Sequence, residues 1–286
     1  MNDVAHTKGS CVFKEALKKT KGMKRHFWAA VMLFTTITLG GFCVLGIILV
    51  VGQMIYMPDF LTLFHANSAF FLNPGFYIPA GMLGFFLAYH ISQAVYEMLV
   101  LLPLRMGIRL IPLRRIADKS VNALFIFKYL TWKYIYRFII LDILIVLAIA
   151  IPVGFGVLFF CLPHMYSFVM GLKVVSYIVG VLFYLLALYL IVSYTFVNLI
   201  MIDRDVHPWT AMRISRQVVT KKWFCIFGTL IFLGIVLTIA TLLFLVGLIW
   251  AVPFAQNVIA ILYRNMLGIE GKDPVSLQEA LVRNNL

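Results

Sequence analysis

From Trp223 to Tyr263 the chain runs for about forty residues without a charged side chain. A helix crosses the hydrocarbon of a bilayer in about 20 residues, so one crossing cannot consume such a run. Similar apolar runs occupy about 27–57, 77–102, 138–161 and 174–202, and the last run divides into 223–241 and 244–263 around a tight turn. Six spans result. For the final run the alternative is one crossing plus a buried or surface segment. Composition agrees: 63% of the 286 residues are hydrophobic and 12% charged, against about 45–50% and about 25% in a soluble domain. With a mean hydropathy of +1.00, the exterior must be largely lipid-facing. The expected fold class is all-α, a polytopic transmembrane helical bundle.

Orientation follows from Lys and Arg. Residues 103–142 carry Arg105, Arg109, Arg114, Arg115, Lys119, Lys128, Lys133 and Arg137 between two apolar runs, which marks the cytoplasmic side. Arg204, Arg213, Arg216, Lys221 and Lys222 mark a second such segment, and Arg264, Lys272 and Arg283 follow the last span. The loop 58–76 has no Lys or Arg, only Asp59 and His65 among apolar residues, so it is expected outside, against the membrane surface; Lys173 is the one basic residue assigned there. Both termini are then cytoplasmic, and the localisation expected is the bacterial inner membrane. The first span is read as retained, because it is longer than a signal-peptide core and lacks a cleavage site.

Residues 1–26 form a basic tail. Within it Phe13, Ala16, Leu17, Thr20 and Phe27 recur at helical spacing, predicting an interfacial helix over about 12–25; a flexible tail is the alternative. Residues 27–264 are the transmembrane domain and 265–286 a cytoplasmic tail. Phe13 precedes Phe27 by fourteen residues, as Leu124 precedes Phe138 and Trp209 precedes Trp223. This predicts three repeats of an interfacial helix plus a two-span hairpin. The net charge of +13 is clustered beside spans, so the expected partners are anionic phospholipids on the cytoplasmic face rather than nucleic acid.

Ionisable groups within spans are the candidate chemistry. Glu97 and Asp142, with Arg105, Arg109 and Arg137, are expected to form a polar vestibule facing the cytoplasm, able to hold an anionic headgroup or relay a proton. Structural ion pairs with snorkelling arginines are the competing reading. His90, Gln93 and Glu97 share a helix face. Gln256 and Asn257 follow Pro253 in the last span, where interhelical hydrogen bonding is the expected role. No catalytic, cofactor or metal site is predicted. His6, His26, His65, His90, His164 and His207 are scattered, and Cys11, Cys43, Cys161 and Cys225 specify no pair. Asp203, Asp205 and His207 read as helix capping or a hydrated loop in preference to a metal site.

Three short stretches carry a resemblance: Pro103-Leu104-Arg105-Met106-Gly107 closing the second span, Trp209-Thr210-Ala211 opening a helix through Ser215, and Pro253 followed by Tyr263-Arg264. In these the chain resembles the YciC-like and DUF975-type bacterial six-span proteins, a group related to the membrane domain attached to some glycerophosphodiester phosphodiesterases. The resemblance implies an inner-membrane helical bundle of unestablished function; the phosphodiesterase activity is not expected to carry over, since the chain has no room for the attached domain. The function expected is non-enzymatic: organising, sensing or helping to move lipids or another hydrophobic substrate. The alternatives are a proton-coupled carrier or membrane enzyme using intramembrane acids, and a subunit or assembly factor partnered by a membrane protein or a second copy of the chain.

Overall fold

A computed structural model describes residues 9–56, 80–165, 170–242 and 247–275. The outer loop 58–76 with His65, most of the turn expected near 241–244, and the ends of both tails lie outside the described residues. The described chain is all-α. Among the described residues four stretches are long and apolar enough to cross a membrane: Lys24–Gly52, Trp132–His164, Met170–Arg204 and Trp223–Leu242. The protein is therefore a multi-span helical bundle, and its apolar spans carry the large exposed side chains, among them Met32, Ile47, Val146 and Leu182, that lipid must cover.

Helix α1 (Gly9–Thr20) is amphipathic, burying Val12, Ala16 and Thr20 and exposing Lys14, Leu17 and Lys18. Helix α2 (Lys24–Tyr56) follows after a three-residue turn. Its 33 residues span about 50 Å, well beyond the hydrocarbon thickness of about 30 Å. Helix α3 (Ala80–Tyr96) packs back on α2, where the Tyr96 hydroxyl donates to the Ile37 carbonyl at 2.7 Å.

Pro103 was expected to close the second span, but the helix continues past it. A π-turn, Glu97–Leu101, passes directly into α4 (Leu102–Ile116), and the Leu102 N–H donates to the Glu97 carbonyl. Proline has no N–H for the preceding turn, and a π-turn reroutes the backbone bonds around that gap. Helix α4 is also deeper than a basic surface segment would be. Leu104, Met106, Leu110, Ile111, Leu113 and Arg114 are all buried, and α4 packs against α2 and against a 3-10 helix (Ala123–Tyr129) capped by the Asn122 side chain. At Gly107 any Cβ would fall on the backbone of Ile126, so the two segments meet main chain to main chain.

Helices α5 (Trp132–Met165) and α6 (Met170–Ser193) form the closest-packed hairpin, with Phe183 stacked between Phe155 and Phe159 at 5.3 and 5.8 Å. After a turn at 194–196, α7 (Val197–Arg204) continues toward the polar side and ends at Asp205, whose φ is +48°. Pro208 opens α8 (Pro208–Thr220), a second amphipathic helix, which buries Ala211, Met212, Ser215 and Val219. Helix α9 (Trp223–Leu242) then packs on α10 (Leu248–Leu267). Of the three helical segments expected to precede spans, the first and third are α-helices and the second is the seven-residue 3-10 helix.

Helix α10 is the most enclosed of the long helices and is not among the four candidate spans. Helix α1 runs antiparallel along it. Glu15 takes two hydrogen bonds from Arg264 at 2.7 and 2.8 Å, Thr20 receives one from Asn257 at 3.0 Å, and Lys24 lies 4.7 Å over the Trp250 ring. Trp28 donates to the Ile249 carbonyl at 3.0 Å. The first turn of α10 thus sits beside the first turn of α2.

Candidate functional site

The five residues expected to form one vestibule fall in two places. Glu97, Arg105 and Asp142 line a cavity of about 150 Å³ with Ala94, Met98 and Leu102. The π-turn aims Glu97 there, and Arg105 donates to it at 2.7 Å. Both side chains are about half exposed, at 53% and 43%, so water or headgroups screen the pair. Arg109 is close enough for the charges of Arg105 and Asp142 to act on it. Arg137 stands elsewhere, paired with Asp205 at 2.8 Å beside Lys133 at 3.1 Å.

His90 is exposed, with its ring against Phe86 at 4.2 Å, and Gln93 is half-buried. Gln256 is half-buried, whereas Asn257 is fully buried. Asn257 donates to Thr20, which in turn donates to the Ala16 carbonyl at 2.7 Å. This chain of bonds fixes α1 on α10.

The most enclosed polar cluster among the described residues gathers around Asp203, read from sequence as helix capping or a hydrated loop. The hydrated-loop alternative is corrected for Asp203: its relative exposure is 0%. Its carboxylate accepts from the Tyr263 hydroxyl at 2.8 Å, the Glu270 N–H at 3.0 Å and the Gly271 N–H at 2.8 Å. Its backbone carbonyl accepts from the Lys272 N–H at 2.9 Å. Gly271 has a φ of +68°, a conformation in which a side chain would be strained, and this turns the following segment back into the protein. Arg204 adds a bond to the Leu267 carbonyl at 2.7 Å and an ion pair with Glu270 at 3.2 Å. His207 is exposed, and no group of acids, His and Cys able to hold a metal occurs among the described residues.

One turn away, Arg114 and Asp273 form an ion pair at 3.2 Å with side-chain exposures of 1% and 3%. Arg114 also donates to the Ser120 carbonyl and hydroxyl and lies over the Phe125 ring. A buried guanidinium needs such multiple partners to offset its desolvation. The Tyr129 hydroxyl is buried without a hydrogen-bond partner among the described residues. Burial pushes this phenol well above the ordinary tyrosine range, and the charge of Asp273 adds to the shift. These contacts clamp residues 268–275 against α4 and α7. They hold the scaffold together.

On the outer side of this core basic residues border two grooves, an apolar one beside α1 and a more polar one on α8. Leu17, Lys18, Lys21, Lys24, Trp250 and Phe254 surround a groove of about 480 Å³ between α1 and α10. Trp209, Met212, Arg213 and Arg216 on α8 border another of about 410 Å³, beside Tyr194. The spacing of apolar residues in α1 and α8 exposes the helices in the sequence, but the pairing of α1 with α10 brings together residues more than 200 positions apart, which no local pattern signals. No known family, curated protein or solved structure matches the chain.

Proposed function

We propose that the chain is a non-enzymatic inner-membrane protein that organises, senses or helps move lipids, working from its cytoplasmic face. The carrying observation is the set Lys18, Lys21 and Lys24, from the end of α1 to the start of α2, bordering one apolar groove with Leu17, Trp250 and Phe254. Cationic groups beside apolar surface match an anionic lipid leaflet, which attracts about 1 kcal/mol per Lys or Arg held near it. Membership in the YciC-like group is part of this reading. Its supporting motifs serve architecture: Gly107 meets Ile126, Ser215 donates to the Ser193 carbonyl at 2.7 Å, Tyr263 holds Asp203, and Arg264 holds Glu15.

The topology we favour departs from six full crossings. The hairpins α2–α3, α5–α6 and α9–α10, each preceded by a short helical segment, support the threefold unit. The third hairpin differs in its companion. Lys18 and Lys21 share a groove with Phe254 and Trp250, about 15–20 Å along α10 from Arg264 at 1.5 Å per residue. Were α10 to cross, those lysines would enter the hydrocarbon, at about 2.5–3.5 kcal/mol each near its centre. We therefore propose four crossings, α2, α3, α5 and α6; α9, although long and apolar enough to cross, packs on α10 and is placed with it in the inner interface. An even number of crossings keeps both termini cytoplasmic.

The test is reconstitution of the purified chain into vesicles of phosphatidylglycerol or phosphatidylcholine, measuring which lipid is retained and whether a labelled lipid redistributes between leaflets. Selective retention of the anionic lipid or faster redistribution supports the proposal. No selectivity and no redistribution would refute it. A proton-linked carrier draws support from the cavity shared by Glu97, Arg105 and Asp142. Unchanged function in Glu97→Gln and Asp142→Asn would eliminate that alternative.

A further inference from the structure

We infer that the groove between α1 and α10 is a binding site for a single anionic phospholipid, with Lys18, Lys21 and Lys24 around the phosphate and Leu17, Trp250 and Phe254 against the upper acyl chain. The inference rests on the lipid-handling reading above and supplies it with a specific site.

Three observations converge on this occupant. The groove has a volume of about 480 Å³, within the range of about 300–1,000 Å³ in which small-molecule sites fall. A bare inorganic anion would fill little of it. The three ammonium-bearing residues share its lining with Leu17, Thr20, Trp250 and Phe254 and with no carboxylate. Neighbouring acids are engaged elsewhere: Glu15 with Arg264, and Asp118 with Lys19. Lys18 and Lys21 have no carboxylate partner among the described residues, and both are exposed. The ligand must therefore bring negative charge and an apolar body together, as an anionic phospholipid does.

The supports of the groove are fixed before any ligand arrives. Asn257 and Thr20 pin the end of α1, and Trp28 is tied to the Ile249 carbonyl. Lys24 already lies over the Trp250 ring, so its ammonium is held at the mouth. A cation held in this way loses little freedom on binding, which favours affinity. Trp250 of the apolar wall lies beside the start of α2, the segment that enters the membrane.

The test uses the full chain in a mild detergent with mixed micelles containing phosphatidylglycerol or phosphatidylcholine, some carrying brominated acyl chains that quench nearby tryptophan. Preferential quenching by the brominated anionic lipid is expected, with Trp250→Phe removing most of it. The variant Lys18→Gln/Lys21→Gln/Lys24→Gln should lower the preference about fivefold per lysine, about a hundredfold in all. Circular dichroism and gel filtration check that the variants are folded, and Lys221→Gln/Lys222→Gln serves as a charge-loss control away from the groove. If the triple variant keeps its preference while the parent is selective, the groove is wrong but the lipid-handling reading survives. Absence of preference in the parent overturns both. Displacement of the lipid by millimolar inorganic phosphate would overturn the assignment to a phospholipid in favour of a free anion.

Discussion

Replacing Asp203 by alanine removes the carboxylate that accepts from the buried Tyr263 hydroxyl and from the partly buried Glu270 and Gly271 N–H groups. Each donor left unsatisfied costs about 1–3 kcal/mol, so the substitution should destabilise the fold by about 3–6 kcal/mol once partial rescue by water is allowed. Asp203→Asn is a finer test. One oxygen, Oδ1, serves Gly271 and the other, Oδ2, serves both Tyr263 and Glu270. An amide can keep the second set only by turning its NH2 toward Gly271, which loses one bond and costs about 1–3 kcal/mol. Tyr263→Phe removes one donor to a carboxylate and should cost about 1.5–3 kcal/mol. The assay is equilibrium unfolding in detergent, combined with proteolysis at Lys272, whose backbone N–H is bonded to the Asp203 carbonyl. The order expected is Asp203→Ala well above Asp203→Asn, with earlier cleavage at Lys272 in both. A cost for Asp203→Ala no larger than that of the exposed Arg213→Ala, with cleavage unchanged, would refute the clamp.

The pair Glu15–Arg264 carries a pH dependence. The Arg264 hydrogen bonds hold the Glu15 carboxyl below the ordinary glutamate range, against a smaller opposing effect of burial. A depressed folded-state value means the stabilisation is complete above the unfolded glutamate pKa and lost as pH falls through the folded value. Amide exchange in 9–20 should therefore rise as pH drops below the usual carboxylate range, after correction for intrinsic rates, and Glu15→Gln should abolish the change. Gly107→Ala should destabilise by about 1–3 kcal/mol, because the added methyl meets main chain at Ile126 and cannot be relieved by a rotamer change; thermal unfolding measures it. Glu97→Gln should shift stability by less than about 1 kcal/mol, since its pair with Arg105 is half exposed, and a loss of several kcal/mol would show that the pair is structurally enclosed.

Local patterns made the class of this protein readable. Apolar run lengths announce α2, α5, α6 and α9, and amphipathic spacing announces α1 and α8. The basic stretch around α4 also marks the organising centre, although by burial and not by surface charge. Arg114 illustrates the difference. In sequence it is one of several arginines, and only the return of Asp273 from 159 positions away makes it a buried partner. Asp203 is similar, since its three donors come from Tyr263 and the turn after α10. The enclosure of α10 was hidden for a related reason. Its own residues are apolar enough to suggest a crossing, and what covers it is α1, a helix at the other end of the chain. Helical periodicity reports one element's preference, whereas these features depend on which distant element covers it.

The most direct measurement is the sidedness of Leu242, the exposed last residue of α9. A single cysteine there, in a background with Cys11, Cys43, Cys161 and Cys225 replaced by serine, is probed with a membrane-impermeant maleimide on intact cells and on inverted vesicles. Cysteines at Lys173 and Arg213 serve as outer and inner references. The account predicts that the Leu242→Cys variant reacts from the cytoplasmic side alone, in company with the inner reference. Reaction from the outside, matching Lys173→Cys, would mean that the α9–α10 hairpin crosses the bilayer and would contradict the account.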